Sequence, residues 1–141
     1  MNLQAIINMA VNEEDFFRDF YRSAAAKTGI VSSKTLLLKL SAEEKVHKEK
    51  LQAFDFRSLN FKDDDIDLAK PLMLTPIDEF SKVKEILDFA VRSEVNARQR
   101  YAKLAKLIDD DKAKWLFNFL VVEEKRHEKL LTDEMKKLGV K

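Results

Sequence analysis

The chain has 141 residues, 45% hydrophobic and 36% charged, with only two Gly and two Pro. That is enough for one domain with a real core, and the composition favours long helices over a strand-rich fold. A formal net charge of +1 gives no electrostatic reason to expect nucleic acid or a membrane surface, and no apolar run approaches the ~18 residues of a bilayer span. The absence of cysteine excludes disulfides and thiolate chemistry. With no basic, cleavable leader at Met1-Asn2-Leu3-Gln4, a cytoplasmic location is expected.

A first helix is predicted from about Leu3 to Lys27. Its stripe of Ile7, Ala10, Phe17, Tyr21 and Ala24 has the three- and four-residue spacing of a buried helix face, with Glu14 in the middle, and Gly29 is a candidate left-handed terminator. A second helix follows, with Ser32 or Ser33 as its expected cap and an end near Phe54. Its stripe of Leu37, Leu40, Leu51 and Phe54 is interrupted by Glu44 and His47. From Asp55 to about Phe80 the periodicity fails, with Asp63-Asp64-Asp65, Pro71 and Pro76 in sequence. A segment of that length suits a crossover from one end of a bundle to the other, with Thr75-Pro76 able to cap a short lead-in.

The third helix, about Ser81 to Ile108, carries Leu87, Ala90, Val91, Ala97, Tyr101 and Leu104 on the side that holds Glu94. Asp109-Asp110-Asp111 makes a short polar turn suited to cap the next helix and complement its dipole. The fourth helix, about Lys112 to Leu138, turns Phe117, Leu120, Val121 and Leu131 inward together with Glu124 and His127, and Gly139 ends it. Short, long and short connections imply one all-α domain over residues 1–141, two antiparallel hairpins joined by a crossover. This is the ferritin-like four-helix arrangement.

The polar residues on the apolar stripes form one pattern that occurs twice. An 80-residue interval relates Glu14 to Glu94, Tyr21 to Tyr101, Glu44 to Glu124 and His47 to His127, and it uses every histidine and tyrosine in the chain. The repeat extends to apolar pairs such as Ala10/Ala90, Leu40/Leu120 and Leu51/Leu131. Three helical residues turn through about 300°, so each histidine lies beside the glutamate that precedes it. Two carboxylates and two Glu-x-x-His pairs on inward faces are a ligand set for a dinuclear metal site: Glu14, Glu44, His47, Glu94, Glu124 and His127. Two divalent ions would neutralise the four carboxylates, and carboxylate with imidazole suits iron or manganese.

The set Glu14-x6-Tyr21, Glu44-x-x-His47, Glu94-x6-Tyr101 and Glu124-x-x-His127 resembles the di-iron domain of the rubrerythrin family over nearly the whole chain. The resemblance implies two bound irons held by these six residues. It also implies that Tyr21 and Tyr101 hydrogen-bond to carboxylates across the bundle, and that hydrogen peroxide or dioxygen is reduced by electrons from a separate donor protein. Two departures stand out. Ala97 takes the place where many members have a further glutamate, which puts redox-linked ligand exchange in doubt, and no rubredoxin module accompanies the domain. A ferroxidase or iron-handling role, an oxygenase and a metal-binding bundle without redox catalysis are the other readings, and a homodimer is expected.

Several neighbours receive plainer assignments. Glu13, Glu43 and Glu123 are expected at the rim, about 100° around the helix from the ligands. Arg18 and Arg98 are expected in surface pairs with Glu14 and Glu94. Phe16 and Phe20 serve either core packing or a subunit interface, and Trp115 packing alone.

Overall fold

The four predicted stripes fold as four long helices: α1 (Leu3–Lys27), α2 (Val31–Ala53), α3 (Val83–Leu107) and α4 (Asp111–Lys137). The computed structural model describes residues 3–57, 59, 80 and 82–139. Helices α1 and α2 form one antiparallel hairpin and α3 and α4 the other; together they make an all-α, ferritin-like four-helix bundle.

Two apolar clusters fill the ends of the bundle. At one end Leu3, Ile6 and Ile7 of α1 meet Leu51 of α2, Leu104 and Ile108 at the close of α3, and Phe117 of α4. At the other, Phe20 and Ala24 meet Leu37, Leu40, Ile86, Leu87 and Leu131. Burying a Leu, Ile or Phe side chain of this kind contributes about 1.5–3 kcal/mol, which offsets the cost of a polar layer between the clusters. Helix α2 ends in the first cluster and α3 begins in the second. The expected crossover between them, with its Asp63-Asp64-Asp65, Pro71 and Thr75-Pro76 features, and Ser81 as a helix start, lie outside the described residues.

The helix ends follow the sequence in part. Asp110 caps α4, its carboxylate accepting from the Ala113 amide at 2.9 Å, and Gly139 closes it with φ +73°. Gly29 does not take the left-handed conformation. The α1–α2 turn is made instead by Thr28, whose hydroxyl accepts from the Ile30 amide at 3.2 Å. Nor do the serines cap α2. Its cap is Ile30, with no side-chain hydrogen bond, because Ser32 and Ser33 both donate to Glu134 of α4, at 2.8 and 2.7 Å. Phe20 is buried among Phe17, Phe80 and Phe89, so it packs within its own chain.

Candidate metal centre

Between the apolar clusters all six predicted ligands converge. Glu14, Glu44, His47, Glu94, Glu124 and His127 are each no more than 4% exposed. They fall into two groups whose ligand atoms lie within 4.8 Å of one another: Glu14, Glu44, His47 and Glu124, and Glu44, Glu94, Glu124 and His127. Glu44 and Glu124 belong to both groups, so they stand where carboxylates would bridge two ions. Each histidine turns Nδ1 inward: His47 lies 3.1 Å from Glu124 and 3.6 Å from Glu14, and His127 lies 3.0 Å from Glu44 and 3.4 Å from Glu94. The two imidazoles stack at 5.3 Å.

The tyrosines tie the hairpins together. Tyr21 donates to Glu94 at 2.5 Å and Tyr101 to Glu14 at 2.8 Å. Burial pushes both phenols well above their ordinary range, and the carboxylates they face add to it. Each tyrosine therefore stays a proton donor.

Electrostatics divide the carboxylates. Burial raises Glu44 and Glu124, and their neighbours Glu14 and Glu94 (for Glu44) and Glu44 and Glu94 (for Glu124) raise them further. Burial also acts against Glu14, but its neighbours Glu44 and His47 prevail and lower it to about 2. Glu94 is lowered the same way, against burial, through Glu124 and His127. Burial alone would lower both histidines; the surrounding carboxylates raise them far above their usual range instead. Divalent metal would compete with protons for these same carboxylate and imidazole atoms.

The donor atoms fit a metal on separate grounds. Glu14 Oε2, Glu44 Oε1, Glu94 Oε2, Glu124 Oε1 and Nδ1 of both histidines are buried, and none completes a hydrogen bond. Orphaned polar atoms are rare in native interiors and call for an explanation. Here every one of the six residues has one, all turned into a common space.

The rim is more specific than the sequence indicated. Glu43 and Glu123 are partly exposed, as expected, but they face the outer nitrogens of the opposite histidines. His127 Nε2–H donates to Glu43 at 2.9 Å, and His47 Nε2 lies 3.5 Å from Glu123. Hydrogen bonding to His127, against some burial and with help from Arg126, lowers Glu43 to about 2. Carboxylates behind ligating histidines fix the ring tautomer and raise ligand basicity. Arg126 holds both of them, reaching Glu123 at 3.1 Å through Nε and Glu43 through its terminal nitrogen. Glu13 takes a different partner, the guanidinium of Arg100, which is 1% exposed. Arg18 and Arg98 do not pair with Glu14 and Glu94, whose carboxylates are buried. Arg18 binds Asp15 and Asp19, and Arg98 binds Glu128.

Arg100 and Arg126 were missed. Arg100 lies three residues after Ala97 and four before Leu104, so the spacing itself marks it as inward. Arg126 gives no such sign: on the sequence it is an ordinary charge three residues from Glu123.

Residues 85–141 match the protein-family model described as Rubrerythrin. The match spans the second hairpin, α3 and α4. The resemblance read from the motifs is thereby borne out where α3 and α4 lie, and the 80-residue repeat carries the same ligand pattern onto α1 and α2. No curated protein and no solved structure matches the chain. The rubrerythrin family is one of metal-binding, usually iron-binding, bundles, and the carboxylate–histidine cluster is compatible with that.

Proposed function

We propose that the protein holds two iron ions, or manganese in their place, and reduces hydrogen peroxide or dioxygen with electrons from an external donor. The observation that carries this reading is a cavity of about 20 Å³ bounded by Phe17, Asn96, Ala97 and Glu13 and reaching Glu14, Glu44, Glu94 and Glu124. A water needs at least about 10–15 Å³ measured in this way. The space therefore admits a molecule of the size of water or peroxide beside the carboxylates.

Glu14 with His47, and Glu94 with His127, would hold one ion each, while Glu44 and Glu124 would be shared. Two such ions supply a pair of electrons in one event, the requirement for reducing peroxide to water. The chain contributes the rest. Glu43, held by Arg126, keeps Nδ1 of His127 inward, and Glu123 faces Nε2 of His47. Tyr21 and Tyr101 hold their protons on Oη beside Glu94 and Glu14. The apolar ends limit entry of bulk water.

The test is stopped-flow mixing of anaerobic, ferrous-loaded protein with peroxide. Oxidation should be much faster than that of free ferrous iron and complete at one peroxide per two irons. Oxidation no faster than free iron would remove the enzymatic reading. A ferroxidase that stores iron would differ in particle size, since a shell elutes far larger than a monomer or the dimer we expect.

A further inference from the structure

The cavity lies on the α1/α3 side of the centre, and a different feature occupies the α2/α4 side. Trp115, the one tryptophan in the chain, is 64% exposed. Its indole lies flat on Phe119, with ring centroids 5.6 Å apart and planes at 11°. Phe119 in turn meets the His47 imidazole edge-on at 6.3 Å. Among the described residues, Trp115 is the exposed aromatic joined by ring contacts to a histidine of the centre. Beside it is an open depression of about 360 Å³ whose charged lining groups, Lys50 and Lys112, are both cations. Val46 and Val122 continue the exposed apolar strip along the same two helices, at 48% and 65% exposure.

Packing explains little of this. A tryptophan kept for stability gains by burial, and this one leaves most of its surface in water. Exposed tryptophan beside a concave apolar patch is the composition of an interface anchor. We propose that an acidic one-electron carrier protein docks over Trp115, with Lys50 and Lys112 meeting its carboxylates, and passes electrons inward along Trp115, Phe119 and His47. This rests on the peroxide-reduction reading above.

The balance is simple. Reducing one hydrogen peroxide breaks its O–O bond and takes two electrons and two protons to give two waters. Two encounters with the carrier, each oxidising it by one electron, return that pair. Trp115 and Phe119 serve as packed contact and are not themselves oxidised. Carrier and peroxide then approach from opposite sides and do not compete. A second copy of this chain fits the patch poorly, because closing it about a two-fold axis would gather Lys50 and Lys112 from both copies with no carboxylate among the lining groups to meet them.

Because Trp115 is the sole tryptophan, its emission reports docking without turnover. Protein with and without metal is titrated with oxidised [2Fe–2S] ferredoxin and with oxidised flavodoxin, two acidic carriers, and with cytochrome c, a basic one. Saturable quenching by the acidic carriers is expected, weakening with salt and lost in Lys50→Glu/Lys112→Glu. Metal-loaded Trp115→Ala should be re-reduced by ferredoxin about tenfold more slowly. Its reduction by dithionite and its oxidation by peroxide should be unchanged. Absence of salt-sensitive quenching with both acidic carriers overturns the proposal. So does equal quenching by cytochrome c, an equal loss of rate with dithionite, or a concentration-dependent emission shift that tracks dimerisation. If peroxide oxidation fails while quenching persists, the peroxide reading falls and the docking surface stands.

Discussion

Position for position, the α1–α2 and α3–α4 hairpins agree at Glu14/Glu94, Tyr21/Tyr101, Glu44/Glu124 and His47/His127, and they part company one layer further out. Where the second hairpin has Arg126 the first has Val46, where it has Arg100 the first has Phe20, and where the first has Glu13 the second has Ser93. These unmatched residues bind across the hairpins: Arg100 to Glu13, Arg126 to Glu43, and Glu134 to Ser32 and Ser33. The repeated residues supply the centre, and the unrepeated ones fix how one hairpin sits against the other. Buried or rim ion pairs often add little net stability but can specify one arrangement, which suits two halves that would otherwise be interchangeable.

The largest test of the equivalence is loss of ligands. Glu44→Gln and Glu124→Gln remove the carboxylates shared by both groups, so each should lower bound metal well below two per chain. Glu14→Gln and Glu94→Gln should each leave about one ion bound. Metal analysis of the purified variants decides this, and a shared-ligand variant that keeps two ions would break the assignment. In the parent protein, metal at 100-fold excess over its Kd should stabilise the fold by about 2.7 kcal/mol per site. A chelator should therefore lower Tm; equal Tm after confirmed removal would count against metal binding to the folded state.

Next in size is the asymmetric pair. Arg100→Phe alone strands the Glu13 carboxylate and should cost about 3–5 kcal/mol in urea unfolding. Glu13→Ser/Arg100→Phe gives the first hairpin the second's serine and the second the first's phenylalanine, and should recover most of that loss. If the double variant is no better than the single, Arg100 acts through something other than Glu13.

Smaller effects are expected around the ligands. Tyr21→Phe and Tyr101→Phe each remove a hydrogen bond to a carboxylate and should each destabilise metal-free protein by about 1.5–3 kcal/mol. A clear inequality between them would show that the halves are less alike than their distances suggest. Glu43→Gln should weaken metal binding about 10- to 100-fold. Glu123→Gln should do less, since its oxygen stands 3.5 Å from His47 Nε2. Both should lie below their neighbours Glu44→Gln and Glu124→Gln, and a reversed order within either pair would mean that the helix register is wrong.

The same comparison explains what the sequence made legible. Helix extents within about two residues, the two-hairpin order and all six converging side chains followed from periodicity and from a pattern that occurs twice. Each repeated residue was seen against a second example of itself. Arg126, Glu134 and Trp115 have no counterpart, and what they do depends on partners far along the chain or on exposure, which spacing does not encode. Ser32 and Ser33 were misjudged for the same reason: a local preference for capping yielded to a carboxylate about a hundred residues away. The functions of Glu43 and Glu123 were hidden because each serves the histidine of the opposite hairpin.

The smallest effect concerns the two glycines, one in each hairpin, and there the halves should respond with opposite sign. Gly29 lies in the α1–α2 turn with an ordinary backbone φ, and a Cβ added to it meets nothing within 4 Å. Thr28 already supplies the hydrogen bond that shapes this turn. Gly29→Ala should therefore stabilise the protein by about 0.4–1 kcal/mol, through the lower conformational entropy of the unfolded chain. Gly139 also has open space around it, but its φ of +73° is a left-handed conformation, which costs other L-residues about 1–2 kcal/mol. Gly139→Ala should destabilise, or simply fray the last turn of α4, where the Gly139 amide bonds to the Lys136 carbonyl at 3.0 Å. Urea midpoints for the two variants, compared at equal m-values, give the signs directly. Destabilisation by Gly29→Ala would mean that the turn needs the freedom the sequence first suggested and that Thr28 alone does not hold it.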